Sequence, residues 1–248
     1  MSIFEMLSLE ANEPTFCGIT IGIVTDINDP DKKNRVKVRL LNRTDSQQET
    51  DYIRVMTPMS GKEFGFYAFP EVGDEVLVGF VDGDFSDPYV LGCLWNKQSP
   101  PPVQLQDGKN EVRLLKSKTA HQLEFNDGEE KPGITLMTAQ ESKLVMDDKG
   151  KKITLSDKGG ENTLTFDLGG GKITLEAKSG LILKCGGASI ELNGSSNEIS
   201  IKTSGNVKLD GQQVSISGKA AVEAKASGQL KLEASGPASL KGAIVQIN

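Results

Sequence analysis

Few residues of this 248-residue chain stand where side-chain chemistry would put them. There is one histidine, His121, and hydrolytic triads or dyads use an imidazole to take the proton of their nucleophile. It falls in the strand-like alternation HQLEFND and is read as structural. Two carboxylate pairs, Glu129-Glu130 and Asp147-Asp148, have the residue types of general acid–base catalysis, but both sit in charged, turn-like stretches where solvated loops account for them. The run GGGK at Gly169–Lys172 has the glycines and lysine of a phosphate loop but not the G-x4-G-K-[ST] spacing, and the strand ITLEA, not a helix, follows it. Tight-turn glycines explain it better. SDKGGENTLTFD has a faint likeness to a calcium-binding nonapeptide, yet the pattern is incomplete and does not recur. Phe64, Phe66, Tyr67 and Phe69 are dense enough to stack on the bases of a single strand. Their surroundings oppose it, as the charge distribution shows. No catalytic residue, no cofactor, no metal and no nucleic-acid partner is expected.

Residues 1–97 carry 9 Lys+Arg against 16 Asp+Glu, a net of −7, whereas residues 98–248 carry 19 against 18, a net of +1. A phosphate backbone is bound through excess cations, which the first part lacks. Aromatics divide the chain at the same place: of thirteen Phe, Tyr and Trp residues, only Phe125 and Phe166 follow residue 100. Large rings supply most buried area in an ordinary core. More than eighty residues after Phe166 without one therefore imply a thin core, or a core shared between chains. Cys17, Cys93 and Cys185 are odd in number and widely spaced, and read as reduced, buried thiols. The first residues have no basic region followed by an apolar core, so no secretory signal is expected. No stretch reaches the roughly eighteen apolar residues of a membrane helix. Synthesis in the cytoplasm is the expectation.

The elements that position these residues are strands. Only residues 2–11 have helical spacing. From Phe16 the period is two: TFCGITIGIVTDIND, RVKVRLL, DYIRVMTP, GDEVLVGFVDG and DPYVLGCLWN give five strands in about eighty residues, which suits a small OB-type barrel. NKQSPPPV, with three consecutive prolines, is a linker that no central strand can cross. Beyond it, short alternating units from NEVRLLKS to AVEAKASGQLKLEASG recur every eight to eleven residues. Units this short cannot bury a face alone and must stack on neighbours. Stacked at the spacing between strands, a dozen such layers give a rod roughly 50–70 Å long. Its inward residues shrink towards Ala224, Ala226, Ala234 and Ala238, so it tapers. One chain of this pattern leaves an apolar face bare, and three chains around one axis cover it.

Residues 51–96 strongly resemble the OB domain of the spike proteins of contractile injection systems, the phage baseplate assembly protein V and type VI secretion VgrG family. The likeness is carried by Arg54-Val55, Pro58, Gly61, Gly65, Pro70, VGDEVLVGF (Val72–Phe80), DGD (Asp82–Asp84), Pro88 and VLG (Val90–Gly92). RLLKSKTAHQLEFND (Arg113–Asp127) is similar to the family's entry into its β-helix. The motifs are specific from about residue 16 to 135 and architectural beyond. The resemblance implies an all-β homotrimer, an N-terminal OB-fold barrel followed by an intertwined trimeric β-helix, or β-prism. Three barrels would form a collar beneath a tube hub, and the prism would be driven through a target envelope on sheath contraction.

Departures from the family pattern sharpen the expectation. Some fifteen residues precede the barrel where VgrG-type chains carry a hub domain, so a separate baseplate hub protein is expected above the OB domains. Residues 97–110 leave no room for an inserted muramidase domain. The ending GAIVQIN lacks the His-x-His pair with which some phage spikes hold iron, so a separate PAAR-type tip protein or a blunt apex is expected. The expected divisions are an N-terminal segment 1–15, an OB domain 16–96, a linker 97–110, a neck 111–135 and a triple-stranded β-helix 136–248. Val222, Ala224, Leu230, Leu232, Leu240 and Ile244 are expected to face the trimer axis. Val245, Gln246, Ile247 and Asn248 are expected to meet the tip protein. The competing reading is a trimeric tail-fibre or adhesin shaft that binds a surface receptor.

Overall fold

A computed structural model describes residues 18–42 and 48–246. The chain divides into two compact units, the first ending at Leu175 and the second starting at Glu176. The expected helix over 2–11, Cys17, and the last two tip residues, Ile247 and Asn248, lie outside the described residues.

The first unit opens with strands β1 (Ile19–Asp26), β2 (Lys37–Leu40), β3 (Arg54–Val55), β4 (Ser60–Gly61), β5 (Phe64–Gly65), β6 (Glu75–Phe80) and β7 (Pro88–Leu94). Five of them make one sheet in the order β2-β1-β6-β7-β3, and β4 and β5 pair separately as a hairpin. All pairings in the five-stranded sheet are antiparallel except β3 with β7. Beside β3, Ile53 exchanges both backbone hydrogen bonds with Val36, at 3.0 and 2.8 Å. That bridge returns the β3 edge to the β2 edge and curls the sheet into an OB-like barrel.

Alternation explains why these residues curl. Every second side chain points inward, and the inward set is Val24, Val36, Val38, Leu40, Ile53, Val76, Val78 and Val90, all buried. Branched side chains of this size fill a narrow barrel without strain. At the β1–β2 contact, a Cβ on Gly22 would lie 2.3 Å from Cγ1 of Val38, so only glycine lets the two strands approach. The connection from β1 to β2 is organised by Asp29. Its side chain is 2% exposed and accepts backbone N–H groups of Asp31 and Lys33 at 3.1 and 3.0 Å, and Nε and Nη2 of Arg35 at 2.9 and 2.7 Å.

From Val112 the first unit becomes an antiparallel meander: β8 (Val112–Lys116), β9 (Gln122–Asn126), β10 (Gly133–Met137), β11 (Lys143–Asp147), β12 (Lys152–Ser156), β13 (Thr163–Asp167) and β14 (Lys172–Glu176), paired strictly in chain order. The second unit holds a smaller meander of β15 (Gly180–Cys185), β16 (Ala188–Asn193) and β17 (Glu198–Lys202).

Residues 203–246 carry no strand, although NVKLDG and QVSISG alternate as cleanly as the segments before them. A strand needs a hydrogen-bonding neighbour, and alternation alone does not say whose backbone that is. The segment is nonetheless regular. Bends fall at Ser204–Gly205, Gly211–Gln212, Lys219–Ala220, Ser227–Gly228, Ser235–Gly236 and Ala243–Ile244. From Gly211 on they are eight residues apart, the short end of the spacing expected from the sequence.

Candidate functional site

The registers of the meander assign its two faces. Across β8 to β13, one row reads Arg113, Phe125, Ile134, Met146, Ile153, Phe166, and a second reads Leu115, Leu123, Leu136, Leu144, Leu155, Leu164. Alternation puts both rows on the same face. The row between them, Leu114, Glu124, Thr135, Val145, Thr154, Thr165, points to the other face with the polar edge rows. Eleven large apolar side chains therefore share one surface two residues wide. None is buried, and Leu136, Leu115 and Leu155 are more than half exposed. Arg113, the charged exception, is held at the first strand by Asp127 at 3.0 Å and the Asn110 carbonyl at 2.7 Å.

The second unit repeats this design. Leu181, Leu192 and Ile199 form one row, and Leu183, Ile190 and Ile201 a second on the same face. Glu191 and Ser200 lie opposite, in register with Ile182. Cys185 continues the apolar face, paired with Ala188. Cys93 and Cys185 are free thiols, but both are exposed, not buried as their wide spacing suggested. Cysteine spacing reports the want of a partner, not depth.

Beyond Lys202 five of the six expected axis residues follow the eight-residue spacing, and the sixth, Ile244, falls at a bend instead. Val214, Val222 and Leu230 are equivalent, as are Ile216, Ala224, Leu232 and Leu240. Val222, Leu230, Leu232, Leu240 and Ile244 are 60–87% exposed within one chain. Ala224, Val245 and Gln246 are exposed too. The apolar side chains are gathered by period and left uncovered. Isolated exposed apolar residues are ordinary, but continuous apolar faces mark interaction surfaces. Fully covering each large side chain contributes about 1.5–3 kcal/mol. The arrangement can bury itself against a matching surface.

The residues with chemical potential are occupied elsewhere. His121 ties two neighbouring turns together: Nδ1 accepts the N–H of Ala139 from the β10–β11 turn at 3.2 Å, and its backbone meets Ser117 across the β8–β9 turn at 2.8 and 3.1 Å. Glu130 pairs with Lys149 at 3.4 Å, and Asp147 caps its turn by accepting the Gly150 N–H at 2.7 Å. In GGGK, Gly170 donates to Asp167 at 2.8 Å and Gly171 has φ 64°, which makes the run a hairpin turn between β13 and β14. In the calcium-like stretch, Asn162 and the Glu161 N–H both donate to Asp157 and hold its carboxyl below the usual range, the Asn162 side chain most strongly. That carboxylate serves its own loop. Among the described residues no group of three or more His, Cys, Asp or Glu gathers as metal ligands, and no helix is long and apolar enough to cross a membrane. Of the four clustered aromatics, Phe69 packs on the barrel core. Phe64, Phe66 and Tyr67 are 65, 45 and 75% exposed, on or beside the β4–β5 hairpin. The sequence reading did not separate that hairpin from its surroundings, though Gly61 and Gly65 flanking Lys62-Glu63 are its signal.

Comparison with known proteins addresses the barrel. Residues 20–95 match the family model described as the type VI secretion system/phage-baseplate injector OB domain. Over 109 residues, 41% of this chain, the sequence is 35% identical to the type VI secretion system spike protein VgrG5 of Pseudomonas aeruginosa, covering 14% of that protein. It is 34% identical over 128 residues to VgrG2a of the same organism, covering 48% of this chain and 14% of the relative. It is 29% identical over 100 residues to the actin cross-linking toxin VgrG1 of Vibrio cholerae, covering 39% and 9%. The matched segments span less than a fifth of the length of these curated relatives.

Proposed function

Since residues 20–95 belong to the type VI secretion system/phage-baseplate injector OB-domain family, we propose that the chain is the central spike of a contractile tail or tail-like particle. It works as a homotrimer, without catalysis. The supporting observation is the apolar face of β8–β13, two rows wide and uncovered in one chain. Three copies turned inward around one axis give every row a partner, while the Thr-rich opposite face meets water. The same logic extends through β15–β17 to Val222, Ala224, Leu230, Leu232, Leu240 and Ile244 as axis residues. Rupture of such a trimer requires three chains to separate together, so its stability is kinetic, which suits a part that is driven through an envelope.

The barrels, residues 16–96, sit beneath a baseplate hub. The linker 97–110 and neck 111–135 lead into the prism 136–248, where Val245–Asn248 meet a PAAR-type tip protein. The chain is made in the bacterial cytoplasm and built into a baseplate there.

Absolute mass by light scattering on the full chain, with an unboiled detergent gel beside it, tests this reading. The expected result is three chains and a detergent-resistant band. A monomer overturns it, because the apolar face would then have to be tolerated bare.

A further inference from the structure

The barrel carries a second apolar feature that its own chain leaves open. β1 sends Ile19, Ile21 and Ile23 outward between buried Thr20, Gly22 and Val24. Ile21 is in register with Leu77 and Ile19 with Gly79 on β6. Gly79 is the floor of a groove: a Cβ there would lie 2.9 Å from Cδ1 of Leu91, which leans across it. Ile19, Met56 and Val81 form the walls, at 61, 58 and 46% exposure. The rim is charged. Arg54 stands on one side, its guanidinium 4.5 Å from the centre of the Tyr89 ring. Asp82 and Asp84 follow Val81 in the turn beyond β6.

The same domain projects a matching shape. The β4–β5 hairpin leaves the barrel at Thr57, whose hydroxyl donates to the Phe66 carbonyl, and Phe66 N–H donates to the Met59 carbonyl at 2.9 Å. Its tip is Lys62-Glu63, with Glu63 at φ 64°. The Phe64 ring lies so close to Gly61 that a Cβ there would sit 2.2 Å from it. The ring lies over Gly61 of its own hairpin and is open to solvent on its other side, 65% exposed. The arm offers an aromatic with one cation and one anion at its tip. The groove offers an apolar recess with one cation in its lining and two anions in the turn that follows Val81.

We propose that the groove of one copy receives the β4–β5 arm of the next. Phe64 fills the recess between Ile19, Met56 and Val81, Glu63 meets Arg54, and Lys62 meets Asp82 and Asp84. The base of the arm, Thr57 and Ser60, lines the groove of its own chain, but the arm's tip and the recess are different surfaces, so the contact is heterologous and is satisfied throughout only when it closes into a ring. The proposal rests on the trimeric reading, which sets the ring at three.

The test uses the full chain with p-benzoylphenylalanine in place of Phe64, prepared as a mixture of light and heavy isotope-labelled chains, irradiated and mapped by mass spectrometry. Crosslinks from one chain to the peptides bearing Met56 or Val81 of another are expected. Glu63→Arg should lower their yield by about two- to fivefold, the range of an exposed ion pair, and adding Arg54→Glu should restore it. A trimer whose crosslinks fall elsewhere, or within one chain, overturns the arm-in-groove contact and leaves the spike reading standing. Crosslinks formed only in whole particles, to a different protein, give the arm to a hub and overturn it too. A monomeric chain overturns the trimer itself.

Discussion

At the scale of single residues, the clearest energetic feature is the Asp29 carboxylate. Arg35 grips it with two side-chain bonds, and the backbone N–H groups of Asp31 and Lys33 add two more. These bonds, those of Arg35 foremost, hold its carboxyl well below the usual carboxylate range against the opposing effect of burial. A carboxyl depressed on folding stabilises the fold at every pH above its unfolded value of about 4, and that contribution is lost as pH falls through the folded value. Asp29→Asn removes the charge and leaves Arg35 paired with Asp31 alone, at 2.8 Å. The variant barrel should melt several degrees lower at pH 7, with the gap narrowing as pH falls from 4 towards 2. Thermal melts by circular dichroism across that range check it. A gap unchanged down to pH 2 would show that the clamp works through shape and not charge. Tyr52, just before β3, reaches the start of the same loop: its hydroxyl donates to Asp26 at 2.6 Å, which pushes the phenol up to about 12.

At the scale of elements, the decisive contrast lies between the two faces of β12. Leu155 belongs to the apolar rows and is 52% exposed in one chain, and its neighbour Thr154 points the other way. Leu155→Asp should abolish the trimer, since each chain forgoes roughly 1.5–3 kcal/mol of burial and places a carboxylate among leucines. Thr154→Asp should leave it intact. Light scattering distinguishes them, and equal behaviour of the two variants would refute the assignment of faces. How much of this was legible follows from what alternation encodes. RVKVRLL and GDEVLVGF declare their inward residues, Val36, Val38, Leu40, Val76 and Val78, because period two fixes which side chains share a face. Alternation does not fix register. The joining of Phe125, Ile134, Met146, Ile153 and Phe166 into one row is set by hairpin lengths in Asn-, Asp- and Gly-rich turns. The β4–β5 arm escaped for another reason. Phe64, Phe66 and Tyr67 read as packing either in the core or against neighbouring proteins, and composition does not separate the two; their exposure within one chain leaves the second. From Thr203 on the alternation was legible and the bonding was not, since alternation does not say whose backbone pairs with it; on the proposed reading that backbone is another chain's.

At the scale of the whole molecule, the repeat beyond Gly211 turns one substitution into a test of the assembly. Ile216, Ala224, Leu232 and Leu240 recur every eight residues and, on the proposed reading, stack along a common axis. Leu232→Asp therefore brings three carboxylates to one level of that axis. Like charges at close range oppose their own ionisation, and each unpaired ion removed from water costs several kcal/mol, so ionised carboxylates and a closed axis cannot coexist at neutral pH. The barrel is insulated from this, because its buried core runs from Val24 to Val90, far from the repeat in sequence. Leu232→Asp should lose the detergent-resistant trimer while the barrel's thermal transition stays where it was, and acidification that neutralises the new carboxyls should restore assembly in part. Lys231→Asp, one residue away on the outward side, also introduces a carboxylate and should be tolerated. Light scattering and unboiled detergent gels read both variants against circular dichroism melts of the barrel. If Leu232→Asp remains a detergent-resistant trimer, then Leu232 faces water and the eight-residue register is inverted. The axis must then be lined by the other face of the repeat, where Lys225, Lys231 and Glu233 stand. A charged axis of that kind would have to hold its trimer through ion pairs, which salt screens. Detergent resistance that fell with ionic strength would then follow, and resistance indifferent to salt is what the apolar axis requires.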